Sequence, residues 1–294
     1  MKTRNALALQ QTVQQWLSQG TAAVLIEVVR IKGSTPRNVG ARMVVSADEV
    51  LGTVGGGHLE WRAIALARQA LAECRQTGPQ TLPAPWQQDF ALGPSLGQCC
   101  GGALTLAFTP LSAALVSSWP TPPSRFHLDL HGAGHVGQAI IQILGGLDCT
   151  VRWIDERAAP DDLTSYAQAG LPDTATLASL PPHIQWLPTD QAEAEVQDAP
   201  AGACHLVLTH RHDLDLRIVR AILQRGDAGF VGLIGSQTKR AQFRRRLAEQ
   251  DLSPEQIETM TCPIGLDGIE GKEPMVIAVS AVAQLLRLTP LQGP

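Results

Sequence analysis

The sequence predicts an α/β protein of two domains, the first of mixed strands and helices and the second a doubly wound parallel sheet. Three observations predict it. Strand-like apolar runs alternate with helical stretches along the chain. A proline- and serine-rich stretch, PLSAALVSSWPTPPS, interrupts that alternation at residues 110–124. Beyond it, Gly132, Gly134 and Gly137 stand at GxGxxG spacing between an apolar run and a helical one. The expected division is 1–109 for the first domain, 110–124 for a linker and 125–294 for the second.

The first domain opens with a helix over residues 5–19, where Leu7, Leu9, Val13, Trp16 and Leu17 form an apolar stripe and Gly20 a stop. TAAVLIEVVRI and ARMVVSA read as strands flanking the turn KGSTPRNVG, and VLGTVGGGHLE leads into a helix over about 58–76. QDFAL and ALTLAF are strands bracketing GPSLGQCCGG. In the second domain HLDLHG is a strand, followed by a helix and by CTVRWID, which ends in Asp155. HIQWLP, CHLVLTH and GFVGLIG continue the strands, and an amphipathic helix from about Glu273 closes the chain.

With 294 residues, 44% hydrophobic and 17% charged, the chain can build the cores of two globular domains. A net charge of -4 calls for neither nucleic acid nor an anionic membrane as partner. No run reaches the roughly 20 apolar residues of a membrane span. The first twenty residues are too broken by Gln, Asn and Thr to form the core of a signal peptide. A cytoplasmic protein is expected, its six cysteines free thiols rather than a disulfide framework.

Several loops carry candidate chemistry. The glycines of HGAGHVG allow a tight turn and close approach of a phosphate to backbone amides, and Asp155 is placed to hold a ribose hydroxyl. Strand-to-helix packing alone would require the same glycines, so a nicotinamide cofactor is left open. GSTPRNVGARM offers hydroxyls with Arg37 or Arg42 to an anion, or is simply a proline-directed turn. Gly55, Gly56 and Gly57 either aim amides at an anion beside His58, or reverse the chain with Glu60 facing the helix dipole. In GQCCGG, Gln98 precedes Cys99 and Cys100. A disulfide between neighbours is strained, so soft ligation, sulfur chemistry or burial remain.

THRHDLDL brings His210 and His212 near Asp213 and Asp215, better suited to a substrate loop or helix cap than to a metal. Ser236 opens a second anion-binding helix N-terminus. That helix carries Lys239, Arg240, Arg244, Arg245 and Arg246, and the Arg run itself reads as a solvated face. There is no HExxH or Walker motif, and Tyr166, the only tyrosine, belongs to no TyrxxxLys pair. No catalytic acid or base is assigned.

Taken in order, GSTPRNVGARMVV, GTVGGGHLE, LGQCCGG, LHGAGHVGQAI, THRHDLD, FVGLIGSQTKR and CPIGLDGIEGKEPMVIAVSAVAQLL resemble the XdhC/CoxI family of xanthine dehydrogenase accessory proteins, in its XdhC branch. The resemblance runs from about residue 20 to 288 and implies a family-specific N-terminal domain followed by a Rossmann-like one. It implies a non-enzymatic role: binding the molybdenum cofactor (molybdopterin), protecting it during sulfuration and inserting it into apo xanthine dehydrogenase, in contact with a cysteine desulfurase.

On that resemblance Cys99 and Cys100 would lie nearest molybdenum, with Gln98, Arg37, Gly55, Gly56 and Gly57 lining the same site. Gly132, Gly134, Gly137, Asp155 and Ser236 would form a nucleotide-like site in the second domain. A bound nucleotide and a homo-oligomer are left open. The competing readings are an NAD(P)-dependent oxidoreductase and a scaffold that docks the desulfurase to the dehydrogenase.

Overall fold

The computed structural model describes residues 6–77, 83–92, 101–119, 124–157 and 170–289. They fall into two compact units, one within Met1–Pro122 and one within Pro123–Pro294. Among the described residues no helix is long and apolar enough to cross a membrane.

The first unit is an antiparallel sheet of five strands in the order β3-β2-β1-β5-β4, formed by β1 (Ala23–Lys32), β2 (Arg42–Ser46), β3 (Val50–Gly52), β4 (Trp86–Ala91) and β5 (Ala103–Pro110). Alternation along β1 divides the core in two. Val24, Ile26 and Val28 face α2 (Gly57–Thr77), whose Leu59, Ala63, Ala67 and Leu71 recur every four residues on one buried stripe. Ala23 and Leu25 face α1 (Ala6–Ser18) and α3 (Ala113–Ser117), which bury Leu9, Val13, Trp16, Val116 and Trp119. Ser112 caps α3 by accepting from the Leu115 amide. Residues 111–119, which composition reads as the start of a linker, thus contribute to this unit's core.

The register places three connections at one end of the sheet. Glu27 pairs with Arg42, Met43 with Gly52, Lys32 with Ala103 and Ala91 with Ala103. The loops after β1, β3 and β4 therefore leave together, and these are the loops that carry the glycine and cysteine motifs.

The second unit is a parallel sheet in the order β11-β10-β9-β6-β7-β8. Its elements are β6 (His127–His131), α4 (His135–Leu144), β7 (Thr150–Asp155), α5 (Thr174–Ala178), β8 (Ile184–Pro188), a 3-10 turn at Ala194–Asp198, β9 (Cys204–Val207), α6 (His212–Arg225), β10 (Phe230–Leu233), α7 (Gln237–Ala248), α8 (Pro254–Glu258), β11 (Met260–Thr261) and α9 (Pro274–Leu288). Chain order reverses at β6, which pairs with both β7 and β9, so the architecture is the expected Rossmann-like one. Leu128, Leu130, Val151, Trp153 and Leu206 pack with α4 and α9, whereas Ile154, Val207, Val231 and Leu233 pack with α6, α7 and α8. Both faces of the sheet are buried, as parallel sheets require.

Candidate functional site

In the first unit the three loops touch one another through their backbones. A Cβ added to Gly102 would lie 2.3 Å from the Ser34 carbonyl oxygen and 2.7 Å from that of Lys32. One added to Gly55 would lie 2.5 Å from Cγ of Pro36. The loop after β1 thus lies against Gly102 and against Gly55, and the Leu92 amide donates to the Gly102 carbonyl at 2.7 Å. Gln98, Cys99 and Cys100 lie outside the described residues. Gly101 is exposed with open space where a side chain would begin, and Arg37 is exposed on the neighbouring loop.

At the GGG turn the structure follows the second of the two readings, a chain reversal with Glu60 at the helix start. The Gly55 amide donates to the Thr53 hydroxyl at 3.2 Å, and the Gly56 amide to Oε2 of Glu60 at 3.0 Å. The Thr53 hydroxyl donates to the same carboxylate oxygen at 2.5 Å. Glu60 is buried, so the anion at this helix start is the protein's own, leaving Gly57 as the exposed member of the trio. One feature escaped the sequence reading: Trp61 is 66% exposed on the first turns of α2, its ring 5.5 Å from that of His58.

In the second unit the site-bearing edge is the carboxyl end of the parallel strands. Gly132 has φ +122°, and an added Cβ would lie 2.4 Å from the Leu208 carbonyl oxygen, so β6 and β9 converge here too closely for a side chain. A Cβ on Gly137 would meet the Gly132 carbonyl at 2.2 Å, the close helix-to-strand packing expected of the third glycine. Gly134 differs from both. It is the N-cap of α4 at φ -71°, with nothing within 4 Å of an added Cβ and no side chain to cap the helix. The first-turn amides of α4 are therefore open to an anion.

Next to this turn, His131, Gly132, Asp155, Thr209, His210 and Leu214 line a narrow crevice where the strand order reverses. Beside α4 a cavity of about 550 Å³ is lined by His135, Gln138, Gln142, Trp153, Leu180 and Pro181 among others.

Asp155 is more committed than the sequence implied. Its Oδ2 accepts from the Ala133 amide at 2.7 Å and from Arg157 at 2.8 Å, and its Oδ1 accepts from the amide and Nε of Arg157 at 2.9 and 3.0 Å. It ties the turn after β6 to the turn after β7, and a ribose hydroxyl would have to displace Arg157. Ser236 caps α7, its hydroxyl accepting from the Lys239 amide at 3.3 Å.

Lys239 does not belong to the solvated face. It is 7% exposed and donates to Oδ2 of Asp215 at 2.7 Å and to the Ile234 carbonyl at 2.8 Å. Asp215 in turn accepts from the amide and hydroxyl of Thr209 at 3.0 and 2.7 Å. Arg240 and Arg244 do lie at the surface, paired with Glu258, and Arg245 with Glu249. Burial lowers the pKa of His210, and among the described residues neither it nor His212 joins a three-ligand cluster.

A second group was not foreseen. Asp129, His131 and His205 are buried on the α6 side of the sheet. Oδ1 of Asp129 accepts from Nε2 of His127 at 3.0 Å and Nε of Arg152 at 2.8 Å, and Oδ2 accepts from Nη2 of Arg152. Burial alone would raise the Asp129 pKa, but these bonds hold it far below the usual carboxylate range. Burial pushes His131 down to about 3 and His205 to about 4, so both imidazoles are neutral at pH 7. Neither ring nitrogen of His131, nor Nδ1 of His205, has a hydrogen-bond partner. Each such buried orphan ordinarily costs about 1–3 kcal/mol.

Burial also decides which thiols can react. Cys149 is pushed up to about 12 and Cys204 to about 11, and Cys262 is raised as well, in each case chiefly by burial. Native protein treated with iodoacetamide at pH 8 is therefore expected to leave these three unmodified, with labelling only after denaturation. Peptide mass spectrometry checks this, and native labelling of Cys149 or Cys204 would contradict the burial argument.

Comparison with known proteins adds the following. Residues 128–285 match the family model described as the XdhC Rossmann domain, and residues 16–82 match that described as the XdhC and CoxI family. The chain is 28% identical over 273 residues to the uncharacterized protein YqeB of Escherichia coli K12, covering 92% of this chain and 44% of that one. It thus spans less than half the length of that relative. Its fold is also similar to a crystal structure described as a xanthine dehydrogenase from Bacillus halodurans, with TM-score 0.67, 17% identity, and coverage of 97% and 96% of the two chains.

Proposed function

The chain belongs to the XdhC and CoxI family, and from that premise we propose that it is an accessory protein of xanthine dehydrogenase that carries the molybdenum cofactor to the apoenzyme. The observation that supports this best is the convergence of the loops after β1, β3 and β4 at one end of the first unit's sheet. Arg37, the exposed Gly57 and the described glycines Gly101 and Gly102 belong to these loops. A pterin dithiolene with a phosphate needs what such an edge offers: soft sulfur donors, a cation and unobstructed backbone. The exposed ring of Trp61 adds an aromatic face on which a pterin can stack.

In this reading Cys99 and Cys100 are the thiols that meet the molybdenum centre, Gln98 and Arg37 flank them, and Gly101 leaves room for a bulky cargo. The protein shelters the cofactor while a cysteine desulfurase supplies its sulfur, and releases it to the dehydrogenase. The second unit takes a phosphate-bearing ligand at the open α4 N-terminus, which is the specific observation favouring a nucleotide there. An oxidoreductase would use the same turn.

Anaerobic purification from a molybdenum-replete host decides between these readings. The expected result is co-purifying molybdenum and pterin, the latter read as fluorescence after oxidation, with both lost in Cys99→Ala/Cys100→Ala. Nicotinamide turnover without pterin would replace the carrier by a dehydrogenase. A protein that binds neither ligand yet joins the desulfurase to the dehydrogenase would be a scaffold.

A further inference from the structure

We propose that Asp129, His131 and His205 form a buried binding site for one divalent transition-metal ion of the zinc class, separate from any molybdenum carried by the first unit. Asp129 and His205 are directly paired on the adjacent parallel strands β6 and β9. His131 lies two residues beyond Asp129 and so projects from the same face. Two ligands at i and i+2 on one strand with a third from its neighbour make a compact triad, and here one ligand atom from each residue lies within 4.8 Å of the others. Oδ2 of Asp129 and Nδ1 of His205 are 3.8 Å apart, and the two imidazole rings stack at 5.9 Å and 18°. Donors around a four-coordinate zinc stand about 3.3 Å apart, so small ring rotations close the triad on an ion.

Two further features favour a cation over an apolar packing role. His131 is fully buried with both ring nitrogens unpartnered, and the Nδ1 of His205 that approaches Asp129 is likewise unpartnered, a state buried polar groups seldom adopt. His127 and Arg152 hold Oδ1 of Asp129 and Nη2 of Arg152 reaches Oδ2, which keeps a further lone pair for an ion, an arrangement in which outer hydrogen bonds orient a metal ligand. Arg152 is itself answered by Glu195, with its Nη2 on the Glu195 carbonyl at 2.8 Å and Nη1 3.8 Å from Oε2. Arg152 is thus shared between Asp129 and Glu195.

The full chain, stripped with EDTA and desalted, is titrated with Zn²⁺ and with Co²⁺. The expected result is one equivalent retained through gel filtration, a raised melting temperature, and visible Co²⁺ bands without the near-ultraviolet thiolate charge transfer that cysteine ligands would give. His131→Phe and His205→Phe are expected to weaken retention at least about 100-fold, whereas His212→Ala and Cys99→Ala/Cys100→Ala leave it unchanged. Wild-type protein that retains no ion and shows no thermal shift overturns the site, whether or not the phenylalanine variants fold. Retention that survives in folded His131→Phe and His205→Phe, or that disappears with the cysteines, overturns it equally.

Discussion

Lys239→Met is expected to lower the stability of the second unit by about 3–5 kcal/mol, because it leaves the Asp215 carboxylate buried without its cation. Asp215 is fully buried and Lys239 nearly so, so solvent cannot replace the lost partner. The variant Lys239→Met/Asp215→Asn should recover part of the loss. Its side-chain oxygen can still accept from Thr209, and no unpaired charge remains. Arg245→Ala, on the exposed side of the same helix, should change stability by no more than about 0.5 kcal/mol. Urea unfolding midpoints for the three variants make the comparison. A Lys239→Met midpoint close to that of Arg245→Ala would mean that the pair is not what holds the loops after β9 and β10. The same lysine donates to the Ile234 carbonyl, so its loss should also speed hydrogen exchange at the Thr209 amide, beside the crevice.

The role of Lys239 could have been found in the sequence, and its neighbours show why it was not. Phe243 and Leu247 are the buried apolar residues of α7, four apart, and Lys239 stands one turn before them on the same stripe. Among five basic residues in eight positions, that spacing is easily lost in the charge run. The burial of Asp129 and His131 went unread for a different reason. HLDLH alternates as a strand with one solvated face, and Leu128 and Leu130 were legible as core on that basis. In a parallel sheet covered on both sides, however, the polar alternates are buried too, so Asp129 and His131 were driven inward where a hairpin would have exposed them.

The strands of the second unit and its GxGxxG turn were legible because local spacing encodes them. The meeting of the loops after β1, β3 and β4 was not, since it depends on the pairing register of strands up to about 80 residues apart. Glu60 shows the same limit, because the choice between a bound anion and an internal cap depended on where one carboxylate turned.

Alanine at Gly132, Gly134 and Gly137 should separate the glycines that the fold needs from the one that a ligand needs. Gly132→Ala forces a side chain onto a left-handed residue and into the Leu208 carbonyl, and is expected to cost at least about 3 kcal/mol. Gly137→Ala would gain roughly 1 kcal/mol of helix propensity, but the 2.2 Å approach to the Gly132 carbonyl outweighs that gain. Gly134→Ala meets no neighbour at an ordinary φ. Its weaker N-cap preference is offset by lower unfolded-state entropy, leaving stability within about 0.5 kcal/mol.

If fold were the whole reason for the motif, Gly134 would be freely replaceable. If a phosphate sits on the α4 amides, the new methyl group stands where that ligand approaches. Gly134→Ala is therefore expected to melt like wild type and to bind ADP or NAD⁺ at least about tenfold more weakly, a difference of 1.4 kcal/mol. Calorimetric titration beside a thermal melt measures both. Unchanged nucleotide affinity in a normally folded Gly134→Ala protein would remove the α4 N-terminus from the binding site and leave the turn a purely structural one.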